Sequence, residues 1–308
     1  MLDITQLNCS LAVQAAVGPS KRRKQLGLVP AAGSPLRFAT ANPRPVVTWR
    51  VTRSCNLNCR HCLSDSGPRH YGSELTTSEG MALISDLEDY KVPRLTFAGG
   101  EPLLRADLPE LVAYAREKGI QPSLFSNGIL LSPARAKELK RVGLHSVSIR
   151  LEGIGREVDH RSGMPGAFDA VLEGYTNCEA AGLEAEVRIP LSRWNYSELA
   201  SILDLVERHR IRRAVFVHLV YAGRGNSPQD NLTFEQKRRA LDAILEREEA
   251  FRRRGAATRV ATDENHVDGI YLYLQLARRN PQHAEAAYRR LEACGGAVRG
   301  VGVGTCRN

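Results

Sequence analysis

Long apolar runs, a secretory leader and a paired-cysteine framework are all missing from this sequence of 308 residues. The longest apolar stretches, such as Gly128–Leu131 and Ala214–Val217, fall far short of the ~20 residues a spanning helix needs, so no membrane partner is expected. Asp3 stands where a secretory signal carries positive charge, and the basic run Lys21-Arg22-Arg23-Lys24 follows the mildly apolar stretch instead of preceding it. The cysteines number seven, an odd count. Without a signal peptide, that argues against a disulfide framework and for a reducing, cytoplasmic setting. Aromatic residues make up 6% of the chain, and the compact basic runs (Lys21–Lys24, Lys237–Arg239, Arg252–Arg254) are not interleaved with them. No nucleic-acid partner is expected on that ground.

What is present is ordinary for a globular chain: 43% hydrophobic and 25% charged residues, which excludes global disorder. The length suits one large domain, or one domain and part of a second. The net charge of +9 is compatible with attraction to a polyanionic small molecule, and equally with an Arg-rich composition spread along the chain.

Residues 1–44 lack sustained periodicity and read as an extension with a short N-terminal element and a linker. Strand and helix signals then alternate. Strands are expected at Val46–Val51, Arg94–Ala98, Ser123–Ser126, Ser146–Leu151, Glu186–Pro190 and Ala214–Tyr221. Helices between them open at Thr76 (boxed with Glu79), Asp107 (with Glu110), Ser132 (followed by Pro133), about Phe168, Asn195 (with Glu198) and Thr233 (with Gln236). Serial βα units imply a parallel sheet with right-handed crossovers. Six such units are two short of an eightfold barrel, so the fold class is α/β, an open partial (β/α)6 barrel over residues 45–256 with its site at the strand C-termini. Beyond residue 256, Thr258–Ala261 reads as a possible strand, two helical stretches follow, and 257–308 is a short C-terminal segment ending Gly-rich.

The strongest chemistry is Ser54-Cys55-Asn56-Leu57-Asn58-Cys59-Arg60-His61-Cys62, a C-x3-C-x2-C spacing in the loop after the first strand. Several thiolates on one short loop favour zinc or an iron–sulfur cluster. A structural zinc site needs a fourth ligand, and no second cysteine knuckle offers one, although His61 is at hand. A simple electron-transfer cluster wants every iron ligated. Three cysteines on a 4Fe-4S cluster leave one iron open, as a catalytic cluster requires.

This cysteine spacing, with Gly99-Gly100-Glu101-Pro102 after the second strand, resembles the radical S-adenosylmethionine (SAM) superfamily. The resemblance implies a 4Fe-4S cluster on Cys55, Cys59 and Cys62, with one electron used to cleave SAM and release a 5′-deoxyadenosyl radical that abstracts hydrogen from substrate. It places the methionyl amino group at Gly99, Gly100, Glu101 and Pro102, where glycines permit close backbone approach to a ligand. A bulky side chain at Gly100 is therefore expected to block SAM and spare the cluster. Ser126 and Asn127, closing the third strand, stand where relatives place polar groups near SAM; an ordinary Asn-Gly turn is the alternative. The fourth strand ends Arg150-Leu151-Glu152-Gly153 where relatives commonly have Ser-Leu-Asp-Gly. Glu152 joins the cofactor set, and Arg188 is expected to reach the SAM carboxylate or ribose, or else to pair with Glu152.

Within the superfamily the chain resembles members that modify sirohaem-derived tetrapyrroles, namely the didecarboxysirohaem deacetylases and the maturases of d-type haem, through Met1–Cys9, His218–Gly225, Asn265–Gly269 and the Gly-rich tail. That implies haem biosynthesis, with acetate side chains on two pyrrole rings becoming methyl groups towards iron-coproporphyrin III, an iron-tetrapyrrole substrate, and an external electron donor of flavodoxin or ferredoxin type. Arg161, Arg224 and His266 are candidates to meet substrate carboxylates or the haem iron. Auxiliary-cluster (SPASM-type) relatives continue past the equivalent of Asn308 with further cysteines, and here Gly300-Val301-Gly302-Val303-Gly304 is followed by Thr305 and Cys306; the C-terminal segment is read as truncated. The alternatives are a radical SAM peptide maturase and a degenerate, non-catalytic iron–sulfur protein.

Overall fold

Alternate residues of a strand face opposite ways, and here the two sets differ in kind. Leu95, Phe97, Leu124, Val147, Ile149, Val187, Ile189, Ala214 and Phe216 are buried. The register lays them side by side: Phe97 beside Leu124, Leu124 beside Val147, Ile149 beside Val187, Ile189 beside Phe216. They form one core with Leu111, Leu139, Leu172, Ile202 and Ile244 of the surrounding helices. The other set is polar. Thr96 lies beside Ser123, Ser148 beside Glu186, and Arg150 beside Arg188. The helices that carry Leu111, Leu139, Leu172, Ile202 and Ile244 therefore pack on one face, and the inner face is lined by polar and charged groups with a few apolar ones such as Phe125 and Val215.

The computed structural model describes residues 2–4, 45–72, 74–225, 227–264, 267–279 and 281–293. Its strands are β1 (Leu2–Asp3), β2 (Val47–Thr52), β3 (Arg94–Gly99), β4 (Gln121–Ser126), β5 (Ser146–Arg150), β6 (Glu184–Leu191), β7 (Arg213–His218) and β8 (Arg259–Asp263). Its α-helices are α1 (Thr77–Asp89), α2 (Leu108–Glu117), α3 (Pro133–Arg141), α4 (Arg156–Ser162), α5 (Ala167–Ala180), α6 (Leu199–Arg208), α7 (Phe234–Arg253), α8 (Val267–Arg279) and α9 (Pro281–Ala293). The sheet order is β1-β8-β7-β6-β5-β4-β3-β2. From β2 to β8 each strand is parallel to its predecessor and beside it, while β1 pairs antiparallel with β8 through Leu2–Thr262 and Asp3–Ala261.

The fold is the expected open α/β partial barrel, with seven parallel strands in place of six. The seventh is β8, which extends the sheet past residue 256 because Ala214–Val217 pair with Val260–Asp263. The boxes at Thr76 and Thr233 both form, and Ser132 caps α3. Two expected boxes do not. Asp107 makes no cap bond because its carboxylate is taken by Arg105 and Thr77. Asn195 instead accepts from the Ser192 amide and hydroxyl and donates to Glu152 O and Pro190 O, tying the ends of β5 and β6 together. Helix α4 was not expected: it is seven residues long between Gly155 and Gly163, and the latter closes it in the left-handed region at φ 71°.

Candidate functional site

Six strand ends converge at one mouth. The cysteine loop follows β2, Gly99–Pro102 ends β3, Ser126-Asn127 ends β4, Glu152 follows β5, Arg188 lies on β6, and Gly223–Gly225 follows β7. The loop is fixed by main chain before any side chain is considered. Cys55 N donates to Gly67 O (2.9 Å), Glu101 N to Ser54 O (2.9 Å) and Gly100 N to Thr52 O (2.7 Å). From the opposite side Asn58 N and Arg60 N donate to Ser162 O and Arg161 O at the end of α4 (3.1 and 3.2 Å).

The two glycines answer to this packing. A Cβ on Gly99 would sit 2.1 Å from Thr52 O, and one on Gly100 would sit 2.2 Å from Ser54 O and 2.7 Å from Arg53 O. Close approach is therefore demanded first by the backbone that enters the cysteine loop. The expectation that bulk at Gly100 spares the loop is corrected on that ground.

Glu101 is fully buried, and its carboxylate accepts from Leu103 N (3.1 Å), Ser126 Oγ (2.9 Å) and Asn127 N (2.8 Å). Burial pushes this carboxyl up to about 7, against the lowering effect of those hydrogen bonds. Asn127 in turn donates from Nδ2 to Asn56 Oδ1 (2.8 Å) and reaches Cys55 Sγ (3.9 Å). Pro102, Glu101, Ser126 and Asn127 thus form one rigid link between the ends of β3 and β4 and the first cysteine.

Glu152 pairs with Arg150 (2.7 Å). Arg188 does not pair with Glu152: its guanidinium is engaged by Asp263 (2.6 Å) and Glu186 (3.3 Å) on the inner face. Arg161 lies in the last turn of α4, not in a loop. It stacks over Trp194 at 4.0 Å and donates to His61 Nε2 (2.9 Å), and His61 is itself stacked on Trp194 at 3.9 Å. A guanidinium only donates, so His61 Nε2 is an acceptor and Nδ1 carries the proton, facing Asp230 at 3.7 Å. Burial lowers the His61 pKa, in keeping with a neutral ring. Arg224 does not point outward either; it binds the cysteine loop. His266 lies outside the described residues. Trp194 and Asn56 escaped the sequence reading because their partners are remote or chemically unremarkable in a linear view.

The donor set fits an iron–sulfur cluster. Leu57 N and Ser66 N point at Cys55 Sγ and Cys62 Sγ (3.5 and 3.3 Å), the direction that favours thiolate sulfur. Burial, then the Glu152 carboxylate, pushes the Cys59 thiol up to about 12, and burial raises Cys55. Such thiols ionise when a cationic centre binds. The Ser66 hydroxyl, 1% exposed and next to this set, has no hydrogen-bond partner among the described residues. Among the described residues no three Cys, His, Asp or Glu side chains converge on a single-ion position; a cubane spreads its three thiolates over three irons. No helix among the described residues is long and apolar enough to cross a membrane.

Comparison with known proteins agrees with this architecture. The chain is 43% identical over 262 residues to the Fe-coproporphyrin III synthase of Methanosarcina barkeri, covering 85% of this chain and 66% of that protein. It is 35% identical over 274 residues to the pre-heme d1 synthase of Dinoroseobacter shibae, covering 88% and 68%. The chain thus spans about two thirds of the length of these relatives. Streptococcus suis SuiB bound to S-adenosylmethionine shares the fold, with a TM-score of 0.62 at 16% identity over 74% of this chain and 52% of that one. Residues 49–206 match the model of the radical SAM superfamily, a little over half of the sequence and all the strand ends from β2 to β6, and the chain belongs to that superfamily.

Proposed function

We propose that this chain is a radical SAM enzyme of haem biosynthesis that deacetylates a sirohaem-derived iron-tetrapyrrole on the way to iron-coproporphyrin III. The observation that carries the reading is the 43% identity to Fe-coproporphyrin III synthase over 262 residues of this chain. The inner face supports it. Arg50 on β2 is exposed on the face opposite Trp49 and Val51, and Arg150 and Arg188 are adjacent in register, paired with Glu152 and with Glu186 and Asp263, partners that a polycarboxylate would exchange for its own carboxylates.

Cys55, Cys59 and Cys62 hold the 4Fe-4S cluster, and Gly99, Gly100, Glu101, Pro102, Ser126, Asn127 and Glu152 shape the SAM end of the mouth. When bound and reduced, the cluster supplies the electron that cleaves SAM to a hydrogen-abstracting adenosyl radical. The protein's own part is positional. Glu101 fixes the Ser126-Asn127 turn, Asn127 fixes Asn56 beside Cys55, and the Arg161–Trp194–His61 stack closes the side of the loop against water. A small flavodoxin- or ferredoxin-type protein of the cytoplasm serves as the reductant.

The test is anaerobic reconstitution of the full chain. Cys55→Ala/Cys59→Ala/Cys62→Ala is expected to lose its iron and the broad thiolate–iron absorption. Titration of didecarboxysirohaem with SAM and reductant is expected to shift the tetrapyrrole spectrum and to yield deacetylated product, with affinity falling as salt rises. Full iron retention in the triple variant overturns the cluster assignment. Spectral silence with the tetrapyrrole, alongside SAM cleavage stimulated by a peptide, overturns the substrate.

A further inference from the structure

Gly223-Arg224-Gly225 is a single tight turn after β7. It meets the cysteine loop across the barrel mouth, with Arg224 standing 165 residues beyond Cys59. The Arg224 amide donates to Cys62 O (3.0 Å). Its guanidinium spreads over three further residues: Nε and Nη2 donate to Cys59 O (3.1 and 2.9 Å), Nη2 also reaches Ser66 O (2.6 Å), and Nη1 pairs with the Asp65 carboxylate (2.8 Å).

The flanking glycines make room for this contact. A Cβ on Gly223, whose φ is +57°, would lie 2.4 Å from Cys62 O, and one on Gly225 would lie 2.9 Å from His61 O. Asp65 is in the left-handed region at φ 49°, a conformation that persists where the surroundings over-determine it; here Arg224 and Arg53 grip its side chain. The same crossing supplies Asp230 opposite His61. Cys55 is held elsewhere, by Gly67 O and the link through Asn127.

We propose that this turn is a latch that sets Cys59 and Cys62 for the cluster while leaving Cys55 untouched, and that cluster binding in turn orders the crossing between β7 and α7. The inference rests on the assignment of the three cysteines to the cluster. Arginine is required because its planar fork serves several acceptors at once, whereas a lysine ammonium is a point charge on a flexible stem. The coupling runs both ways. Whatever free energy the latch gives to the ligating shape of the loop, the occupied loop returns to the latch.

Hydrogen exchange measured peptide by peptide on the full chain, apo and reconstituted, tests this. In the apo protein Arg224→Lys is expected to speed exchange over residues 57–66 by about tenfold or more, from the loss of charge-assisted hydrogen bonds, with β4 unchanged. In the wild type, reconstitution is expected to slow exchange over residues 223–231, and Arg224→Lys is expected to lose most of that protection and to release iron to a chelator about tenfold faster. Asp65→Asn, a milder change in the same contact, is expected to move both readouts in the same direction by less. Identical apo exchange over 57–66 in wild type and Arg224→Lys overturns the latch. So does cluster-dependent protection of 223–231 of equal size in both. A wild-type chain that takes up no cluster defeats the cysteine assignment instead, and the apo comparison still reads the latch.

Discussion

On the flank of β2 and β3 the strand ends are joined through main chain: Gly100 N to Thr52 O, Glu101 N to Ser54 O, Cys55 N to Gly67 O. On the flank of β5 to β8 the inner face is crossed by charged side chains instead. Glu186 accepts from Ser148 Oγ (2.7 Å) and pairs with Arg213 (2.9 Å) and Arg188, and Arg188 continues to Asp263. Main-chain contacts at van der Waals range do not respond to salt, yet a single added methyl breaks them. Ion pairs tolerate small changes of shape but respond to pH, salt and anionic ligands. The flank that has to hold a cluster in one geometry is built the first way, and the flank proposed to receive a polycarboxylate the second.

The largest expected effect breaks the first flank. Gly100→Val places carbon where Ser54 O stands 2.2 Å away, a main-chain atom that moves only with the loop. The cost is expected to be about 4 kcal/mol, at the severe end for single substitutions, and reconstituted protein is expected to hold little iron. Thermal melting and iron content check this together. A variant that melts like the wild type and loads fully would show that the loop adapts, and the contrast between the flanks would collapse.

Arg188→Met tests the second flank. It leaves Glu186 and Asp263 without their shared partner at sites that are 12–14% exposed. A loss of about 2 kcal/mol is expected from breaking charge-assisted contacts, Glu186 keeping Arg213 and Ser148, with iron content unchanged. Part of that loss should vary with ionic strength. Denaturant midpoints at low and high salt give the measurement. Iron loss equal to that of Gly100→Val would mean the two flanks are one unit.

The same contrast explains what could be read from the sequence. The cysteine spacing and Gly-Gly-Glu-Pro are legible because each is a short continuous run, even though Gly100 and Glu101 act on Thr52, Ser54 and Asn127 far along the chain. The boxes at Thr76 and Thr233 are legible for the same reason, since both partners lie within one turn. Asp107 and Asn195 carry the same local signal, yet Arg105 and Thr77 take the one side chain and Ser192, Pro190 and Glu152 the other, a competition between near and remote groups that a cap motif alone does not rank. Arg161 and Arg224 read in the sequence as cations that meet a substrate, and Arg188 as one that meets either SAM or Glu152. A side chain's charge is visible in one dimension, but the carbonyls and carboxylates that absorb it come from segments up to 165 residues away. β8 was set apart from the barrel because its pairing with β7 is non-local, and its four-residue signal is short.

The smallest expected effect probes an exception on the main-chain flank. Arg105 donates from Nε and Nη2 to Asp107 (2.8 and 2.6 Å), and its Nη1 donates on to Val51 O and Leu75 O (3.1 and 2.9 Å), so one ion pair fastens the end of β2 to the approach of α1. The hydrogen bonds from Arg105 hold the Asp107 carboxyl below its ordinary range, outweighing burial, and Thr77 adds to them. With the folded pKa depressed, the unfolded chain binds more protons in the window between the two values. The pair's contribution is therefore complete above the ordinary carboxylate range near pH 4 and is lost as pH falls through the folded value. Asp107→Asn is expected to lower stability by about 1.5 kcal/mol at pH 7, the scale of a hydrogen bond to a charged group. The gap between variant and wild type should close as the pH is taken down through 4 towards 2. Urea midpoints at neutral, mildly acidic and strongly acidic pH check the sign. A gap that stays constant or widens in acid would mean that Asp107 is held there by shape, as Gly99 and Gly100 are, and that charge does no holding at this point.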